Sequence, residues 1–542
     1  AEDVRKWISS VREKEKIKVV YRDERPVPLI WLSLGNNNDK KFLQPLFNKN
    51  GKLKIRSDKI FRNRYGDIDW NKIVDILKDE ELTPSIFFFS SRVKCEKAAE
   101  CITKHDPRHY IQRVELFDKF AKTYPYLKEI SFVERFVETG IGPHHAGLLP
   151  AVKIFFEEGL KKGIATALFA TRTLSSGIDV PAKSCVIIEL EIFDGISVRR
   201  ITSSELAQMA GRAGRRGKDE KGFAILFSPI TQNLETLFGK QEKVESSFYV
   251  TPYLTLSLLR THSPEKALEI AKKSLRTYEE SPLYPQWLSL RNEAEREYFD
   301  FLKKFEDIKV DIECTPETRK NPLKRKRQCS KCPKHEECKK FLNKLYGLEY
   351  KIKWLTRNEP DSVRKEFEGM INFLIKLGYV DEEFHLTEKG WDAQKIKHPR
   401  AVYIFESLER GIIQKIPEKF ASGISVLLSE AKPPFVNPPE HIEKFVRKIY
   451  NIEKSFVLTP KFRLSRNNHL LDGKIYNAVN MWARNEKFEK VTMINRIQEG
   501  DFVRMVLQTV EALRQIRDIK KYEDISKEAI SLVFRSPITD VL

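Results

Sequence analysis

Four short apolar runs set the rhythm of the first half of the chain: Ser85–Phe89, Ile164–Ala170, Cys185–Ile192 and Gly222–Phe227. Stretches long enough for a helix separate them. Continuous apolar runs of about four to eight residues suit strands buried on both faces, so the alternation predicts a parallel sheet with crossover helices. Upstream, Ala1–Arg12 has helical periodicity and Ile17–Tyr21 reads as a strand. Asp23-Glu24-Arg25-Pro26-Val27-Pro28 then breaks the pattern, because proline fixes φ and removes an amide donor. Beyond about residue 240 the strand signal fades, and helical spacing dominates, as in Tyr284–Phe305 and Cys338–Thr356. Glu313–Lys334, rich in Pro, Lys and Arg, reads as an exposed connector, and Ala431–Glu440 as a proline-rich loop.

Composition narrows this picture. The 542 residues exceed one core, and a prior of roughly 100 to 200 residues per domain predicts about three to five units. A content of 41% apolar and 11% aromatic residues excludes a disordered chain. With 97 Lys and Arg against 77 Asp and Glu, the formal charge is +20, which favours a polyanionic partner. No apolar run approaches the roughly 20 residues that span a bilayer. Seven Cys, an odd number scattered outside one cluster, suit a reducing compartment better than a disulfide framework. The chain is thus expected to be intracellular, cytoplasmic or nuclear, with no membrane partner. Its start at Ala1 is read as a fragment or a processed start.

The densest chemistry lies in Gln208-Met209-Ala210-Gly211-Arg212-Ala213-Gly214-Arg215-Arg216-Gly217. Glycines let backbone approach a ligand, and arginine forks pair bidentately with phosphate, so Arg212 and Arg215 suit a transferring phosphoryl group. Gln208 can orient a hydroxyl or water. A basic helix paired with carboxylates is the alternative. Upstream, Ala170-Thr171-Arg172-Thr173-Leu174-Ser175-Ser176-Gly177-Ile178-Asp179-Val180-Pro181 follows an apolar strand, where α/β sheets place binding loops. Thr171 and Thr173 can bond a sugar-phosphate backbone, and Asp179 can accept from a ribose hydroxyl. An ordinary capped strand–turn–helix is the competing reading there.

With these segments the chain resembles the superfamily 2 DExH helicases of the Ski-like branch, which include the RNA helicases that serve the exosome. Pro84–Arg92 is similar to family motif IV, and Gly140-Ile141-Gly142-Pro143-His144-His145-Ala146-Gly147-Leu148-Leu149-Pro150 to its HHxGLLP segment. Thr171–Pro181 resembles motif V and Gln208–Gly217 motif VI. The resemblance implies that Arg212 and Arg215 are arginine fingers at the γ-phosphate of ATP, with Gln208, Gly177 and Asp179 on the nucleotide side. It also implies that Thr171, Thr173 and Arg92 meet the nucleic acid. Two positions depart from the pattern: Arg172, where exosome-type members usually carry Glu, and Asp179, where they often carry Asn. These departures bear on the substrate subclass rather than on the fold.

Val186–Ile192 and Ser197–Ile201 flank Phe193-Asp194-Gly195, an Asp-Gly step suited to a hairpin turn. In the family a hairpin here splits the duplex, which would bring Phe193 to the nucleic acid; a plain sheet-edge hairpin is the alternative. Glu245–Tyr253 with Leu254–Arg260 resembles the opening of the family's winged helix, and Leu377–Asp381 with Thr387–Gly390 resembles a stretch of its helical part. Trp482, Phe488, Glu499–Arg504 and Glu511–Gln515 resemble the DSHCT domain, which holds the ratchet helix, with Arg504 and Arg514 as candidate strand contacts. A solvated charged face would look the same.

The expected architecture is therefore an α/β RecA-like domain, a parallel sheet with helices on both faces. A winged helix and a mainly α ratchet or DSHCT-like bundle follow. Its expected limits are 1–22 for the tail of a first RecA-like domain, 23–238 for the second, 239–285 for the winged helix, 286–345 for a short arch-like insertion and 346–542 for the bundle. The implied activity is ATP-dependent 3′ to 5′ translocation on RNA with unwinding, with an exosome-like nuclease as an expected partner. A DNA helicase of the related repair branch and a non-catalytic nucleic-acid scaffold remain alternatives.

Cys329-x2-Cys332-x5-Cys338, preceded by Cys314, supplies enough thiolates for Zn²⁺ or an iron–sulfur cluster, although the second pair lacks Cys-x2-Cys spacing. A motor also needs a Gly-rich loop with Lys and Ser/Thr for the phosphates and Mg²⁺, and an acidic box for the metal. Neither Gly-x4-Gly-Lys-Ser/Thr nor Asp-Glu-x-His occurs in the sequence. ATP and Mg²⁺ are thus expected to bind through a domain outside these residues, and this chain alone is expected not to hydrolyse ATP.

Overall fold

A computed structural model describes residues 2–12, 17–20, 24–35, 42–53, 61–62, 67–175, 180–193, 198–227, 234–238, 242–310, 314–315, 332–357, 360–430, 434–457 and 470–541. They form two compact units: Ala1–Val19 with Val244–Val402 and Arg447–Arg463, and Val20–Lys243 with Tyr403–Val446 and Leu464–Leu542.

The second unit contains a seven-stranded sheet. Its strands are β1 (Leu29–Leu34), β2 (Leu43–Pro45), β3 (Ser85–Phe89), β4 (Ile141–His144), β5 (Ala167–Thr171), β6 (Ser184–Ile187) and β9 (Gly222–Phe227), in the order β2-β1-β9-β6-β3-β5-β4. β7 (Glu191–Phe193) and β8 (Val198–Arg200) form a separate antiparallel pair. All pairings in the large sheet are parallel except that of β2 with β1. Central β3 aligns Phe87 with Phe169 of β5 and Val186 of β6. Every residue of β3 and β5 is buried, as expected for strands covered on both faces. Trp70, Ile73 and Leu77 of the helix Trp70–Asp79 fill one layer against Phe87, Phe89, Phe169 and Phe227.

Three strands lie outside the four predicted runs. β1 is itself an apolar run, Leu29–Leu34, directly after Pro26-Val27-Pro28, and it pairs in parallel with β9. β2 and β4 are the sheet's outer strands, and Pro143 is tolerated in β4 because an outer strand can leave one amide position unpaired. Conversely, Ile17–Val20 is not a strand: Val20 is 92% exposed, so the run has no buried ladder to join, and Tyr21 lies outside the described residues. The Cys185–Ile192 run divides between β6 and β7.

The same unit carries the helices Pro417–Leu428, Gly473–Ala483, Glu499–Arg517 and Glu523–Val533, which pack on one another, with Phe488–Asn495 against two of them. Glu499–Arg517 buries Phe502, Val506, Val510, Leu513 and Ile516 at helical spacing and exposes Arg504, Gln508, Glu511 and Arg514.

The first unit is helical, with one antiparallel bridge between Val380 and Leu386. Its long helices Tyr284–Ile308 and His335–Arg357 pack together, and the Trp287 indole donates to the Leu355 carbonyl at 2.8 Å. Arg276 meets buried Glu366 at 3.1 Å, tying the helices Leu275–Glu280 and Ser362–Lys376. Most of Glu313–Lys334 lies outside the described residues; Cys314, Thr315 and residues 332–334 have no regular structure.

Candidate functional site

The helix Ser203–Ala210 is held at both ends by charges of the sign its dipole favours. At its start, Thr202 accepts from the Glu205 amide at 3.2 Å while Glu205 accepts from the Thr202 amide at 2.9 Å, a reciprocal capping box. The Glu242 carboxylate adds bonds from the Ser203 amide (2.7 Å), the Ser204 amide (3.1 Å) and the Ser204 hydroxyl (2.6 Å). The Ser204 hydroxyl above all, with these amides, holds the Glu242 carboxyl down at about 2. At its end, the Arg25 guanidinium donates through Nη2 to the carbonyls of Gly211 (2.9 Å) and Ala213 (2.6 Å), with Ala210 at 3.4 Å.

Gln208 and Arg212 stand one helical turn apart, Gln208 exposed and Arg212 half-buried. The turn beyond them needs glycine at Gly214, whose φ is +91° and whose Cβ would lie 2.6 Å from Val27 Cγ1. Ala182 donates to the Arg212 carbonyl at 2.9 Å and accepts from the Gly214 amide at 2.7 Å. That bridge joins the Gln208–Gly217 segment to the residues following Thr171–Pro181, and the helix also packs on residues 172–175. Arg215 forms a bidentate pair with Asp219, Nε to Oδ2 at 2.9 Å and Nη2 to Oδ1 at 2.8 Å. Burial alone would raise the Asp219 pKa, but the bonds from Arg215 outweigh it and hold the carboxyl low. Arg215 thus has a carboxylate partner of the kind that the alternative sequence reading anticipated.

Thr171 ends β5 and its hydroxyl lies 3.0 Å from that of Thr173. Gly177 and Asp179 lie outside the described residues. Arg172 pairs with Glu205, which also receives Arg199 at 2.7 Å, so the unusual cation of this loop is neutralised by the capping-box carboxylate. Phe193 ends β7, opposite Val198 of β8, and the connecting residues 194–197 lie outside the described set.

Arg92 starts the helix Arg92–Glu100, with Ser91 as its cap, and its guanidinium pairs with Asp501 and Gln498. Beside it, the Gly500 amide donates to the Gly147 carbonyl at 2.8 Å. His145 Nδ1 accepts from the Gly147 amide at 3.2 Å, and its Nε2 lies 2.9 Å from Glu96 Oε1 without hydrogen-bond geometry. His144 Nε2 lies 2.8 Å from Glu157 Oε1. The His144–Pro150 segment thus seats the start of Glu499–Arg517. Arg504 and Arg514 share that helix's exposed face, Arg504 at 3.5 Å from Asp501 and Arg514 over the Phe534 ring at 5.2 Å.

Among the described residues the cysteines do not assemble. Cys338 is buried among Phe305, Leu342 and Leu345, Cys314 and Cys332 are half-buried, and Cys329 lies outside the described residues. Among the described residues no group of three or more His, Cys, Asp or Glu side chains is placed to hold a metal ion. Arg25, Glu242 and Asp501 were not legible as site residues, because each acts on a segment that only the fold brings near; Asp219, four residues after Arg215, is a local partner that was not singled out.

The mainly parallel sheet, with the Arg-rich turn after the Ser203–Ala210 helix bridged to Ala182, fits a RecA-like domain. A helicase conserved C-terminal domain model matches residues 94–217, and a DSHCT (NUC185) domain model matches residues 383–540. The chain is 31% identical over 324 residues to the DExH-box ATP-dependent RNA helicase DExH10 of Arabidopsis thaliana, covering 53% of this chain and 32% of that protein. It is 31% identical over 297 residues to the exosome RNA helicase MTR4 of Homo sapiens (48% and 28%), and 34% identical over 203 residues to the antiviral helicase SKI2 of Saccharomyces cerevisiae (35% and 16%). The matched stretch spans less than a third of each relative's length. In these two stretches the chain is similar to the C-terminal helicase and DSHCT domains of Ski-like superfamily 2 DExH-box helicases.

Proposed function

We propose that this chain is the part of an ATP-dependent RNA helicase that senses the nucleotide and grips the strand, moving 3′ to 5′ along single-stranded RNA and unwinding duplex ahead. The observation that carries the reading is the Ser203–Ala210 helix, fixed at both ends, with Gln208 and Arg212 one turn apart and Arg215 on the turn beyond. In this reading Arg212 and Arg215 neutralise charge developing on the γ-phosphate, and Gln208 orients the attacking water. Thr171, Thr173 and the β7–β8 hairpin with Phe193 meet RNA. Glu499–Arg517 acts as a ratchet helix through Arg504 and Arg514, and the helices from residue 252 act as a winged helix. ATP and Mg²⁺ require the phosphate loop and acidic box absent from these 542 residues, so the chain alone does not turn over ATP. The human relative is called an exosome RNA helicase, and an exosome-like nuclease is the corresponding partner.

No helix among the described residues is long and apolar enough to cross a membrane. The deciding experiment is ATP-dependent unwinding of matched 3′-tailed RNA and DNA duplexes by the full-length gene product. Preference for RNA supports the proposal, and preference for DNA assigns the chain to the repair-type branch. Salt-dependent binding without turnover would make it a scaffold.

A further inference from the structure

Arg25 occupies a position whose consequences reach beyond its own segment. The last carbonyls of a helix have no intrahelical partner. Here Ala207 O receives the Gly211 amide at 2.7 Å and Met209 O the Arg212 amide at 3.2 Å, so the first orphans are used within the turn. The Gly211 and Ala213 carbonyls, on either side of Arg212, instead receive Arg25 Nη2. The carbonyl of Arg212 itself receives the Ala182 amide. Three consecutive peptide planes, those carrying the carbonyls of Gly211, Arg212 and Ala213, are therefore fixed from two sides, by Arg25 and by Ala182.

The rest of the segment reinforces this brace. Pro26 and Pro28 hold its φ angles, Val27 packs where a Gly214 Cβ would stand, and the Pro28 carbonyl accepts the Gly222 amide at 2.8 Å. Arg25 is an uneconomical choice for a mere filler. Its Nη1 is buried without a hydrogen-bond partner, and burial pushes the pKa of the guanidinium down. An apolar residue would occupy the place without that desolvation cost. What the cation supplies is one charged amino group, Nη2, that holds two carbonyls at once, at the helix end where positive charge is favoured.

We infer that Arg25 is a positioning residue for the phosphate-facing arginines: it fixes the backbone from which Arg212 projects and the turn that leads to Arg215. The inference rests on the proposed finger role of Arg212 and Arg215. It also makes the segment Arg25–Pro28 the element through which a displacement of the preceding chain would reach the arginines.

The test compares Arg25→Ala, Arg25→Gln and Arg25→Lys with Arg215→Ala in the full-length gene product, reading RNA-stimulated ATPase, the RNA dissociation constant and the melting temperature. A misplaced catalytic group costs on the order of 100-fold, so Arg25→Ala should lower kcat by about that factor, with KM for ATP and RNA affinity within about twofold of wild type. Arg25→Lys, which keeps the charge on a shorter side chain whose single nitrogen can still donate to both carbonyls, should recover part of the loss. A purely structural cap would lower the melting temperature while leaving kcat per folded molecule unchanged. If Arg25→Ala does not fold, Arg25→Gln, with one amide donor and no charge, is read in the same way. Wild-type kcat in Arg25→Ala or Arg25→Gln, alongside a large loss in Arg215→Ala, overturns the inference and leaves the finger reading intact. Wild-type kcat in Arg215→Ala removes the finger reading, and the inference with it.

Discussion

Arg92, at the start of the helix following β3, is ion-paired to Asp501, 409 residues later in the first turn of Glu499–Arg517. The pair belongs to a larger seat. Gln498 shares the guanidinium, and Gly500 approaches the Ala146–Leu148 backbone so closely that a Cβ would fall 2.3 Å from the Leu148 carbonyl oxygen. The helicase and DSHCT regions are therefore joined here by side-chain charge and by main-chain contact.

This geometry gives Arg92 a protein partner where the family resemblance implies a nucleic-acid contact, and the two roles separate experimentally. If the pairing with Asp501 is its main role, Arg92→Ala and Asp501→Ala should each destabilise the chain, with a coupling energy of about 0.5–1 kcal/mol for a partly exposed pair in a double-mutant cycle of denaturant unfolding. RNA affinity should be nearly unchanged in both. A strand contact predicts instead that Arg92→Ala alone weakens RNA binding and lowers the salt slope by about one.

The Gly500 contact leads to a second expectation. Gly500→Ala cannot be accommodated without moving the helix start away from the Leu148 and Ala146 carbonyls, because backbone oxygens, unlike flexible side-chain ends, cannot swing aside. Overpacking of this kind costs about 1–3 kcal/mol. The urea midpoint should fall accordingly, whereas Gly217→Ala, with no atom within 4 Å of its added Cβ, should show only the smaller strain of a positive φ.

Arg215 is held by Asp219, and loss of that carboxylate should loosen it without removing it. Asp219→Ala is expected to lower kcat by about tenfold, less than Arg215→Ala, at unchanged RNA affinity. An equal or greater loss in Asp219→Ala would mean that the carboxylate has a role beyond orienting the arginine.

The apolar runs of β3, β5 and β9 were legible because both faces of those strands are buried, so nearly every residue is apolar. β4 was not, since Gly142 and Pro143 read as a loop until β5 lies beside them. Arg212 and Arg215 stood out by local density of charge and glycine. Arg25 lies more than 180 residues before the carbonyls it holds, and Asp501 more than 400 after Arg92, so no window of sequence contains either relationship. Cys338 shows the opposite failure: its spacing from Cys332 suggests ligation, yet the helix His335–Arg357 turns it into an apolar seam with Phe305.

Burial pushes the His398 pKa down to about 4, and nearby Arg400 acts in the same direction. The unfolded chain binds a proton near pH 6.5, whereas the folded chain resists it until about pH 4. Acidification through that window therefore favours the unfolded state, by up to about 1.4 kcal/mol per pH unit, and the effect levels off below it. His398→Gln should flatten the stability profile between these limits, measured by urea unfolding at fixed ionic strength. An unchanged slope would mean that other groups, among them buried His144, whose pKa is also lowered by burial, carry the dependence.

The exposed face of Glu499–Arg517 is the proposed RNA contact that salt titration tests most directly. Arg504 extends from this face with only a 3.5 Å contact to Asp501, whereas Arg514 rests on Phe534, a ring that pre-orients its guanidinium. A cation that meets a phosphate contributes through counterion release, so removing it lowers the slope of log affinity against log salt by close to one, independently of RNA sequence. Arg504→Ala and Arg514→Ala should each produce that change, and the double substitution about twice as much, if both arginines meet the backbone. Arg514→Lys should retain the slope but lose affinity if the planar stacking on Phe534 sets its reach. Parallel salt titrations of the four proteins with a single-stranded RNA check this directly. Slopes unaltered from wild type would return this face to an ordinary solvated surface.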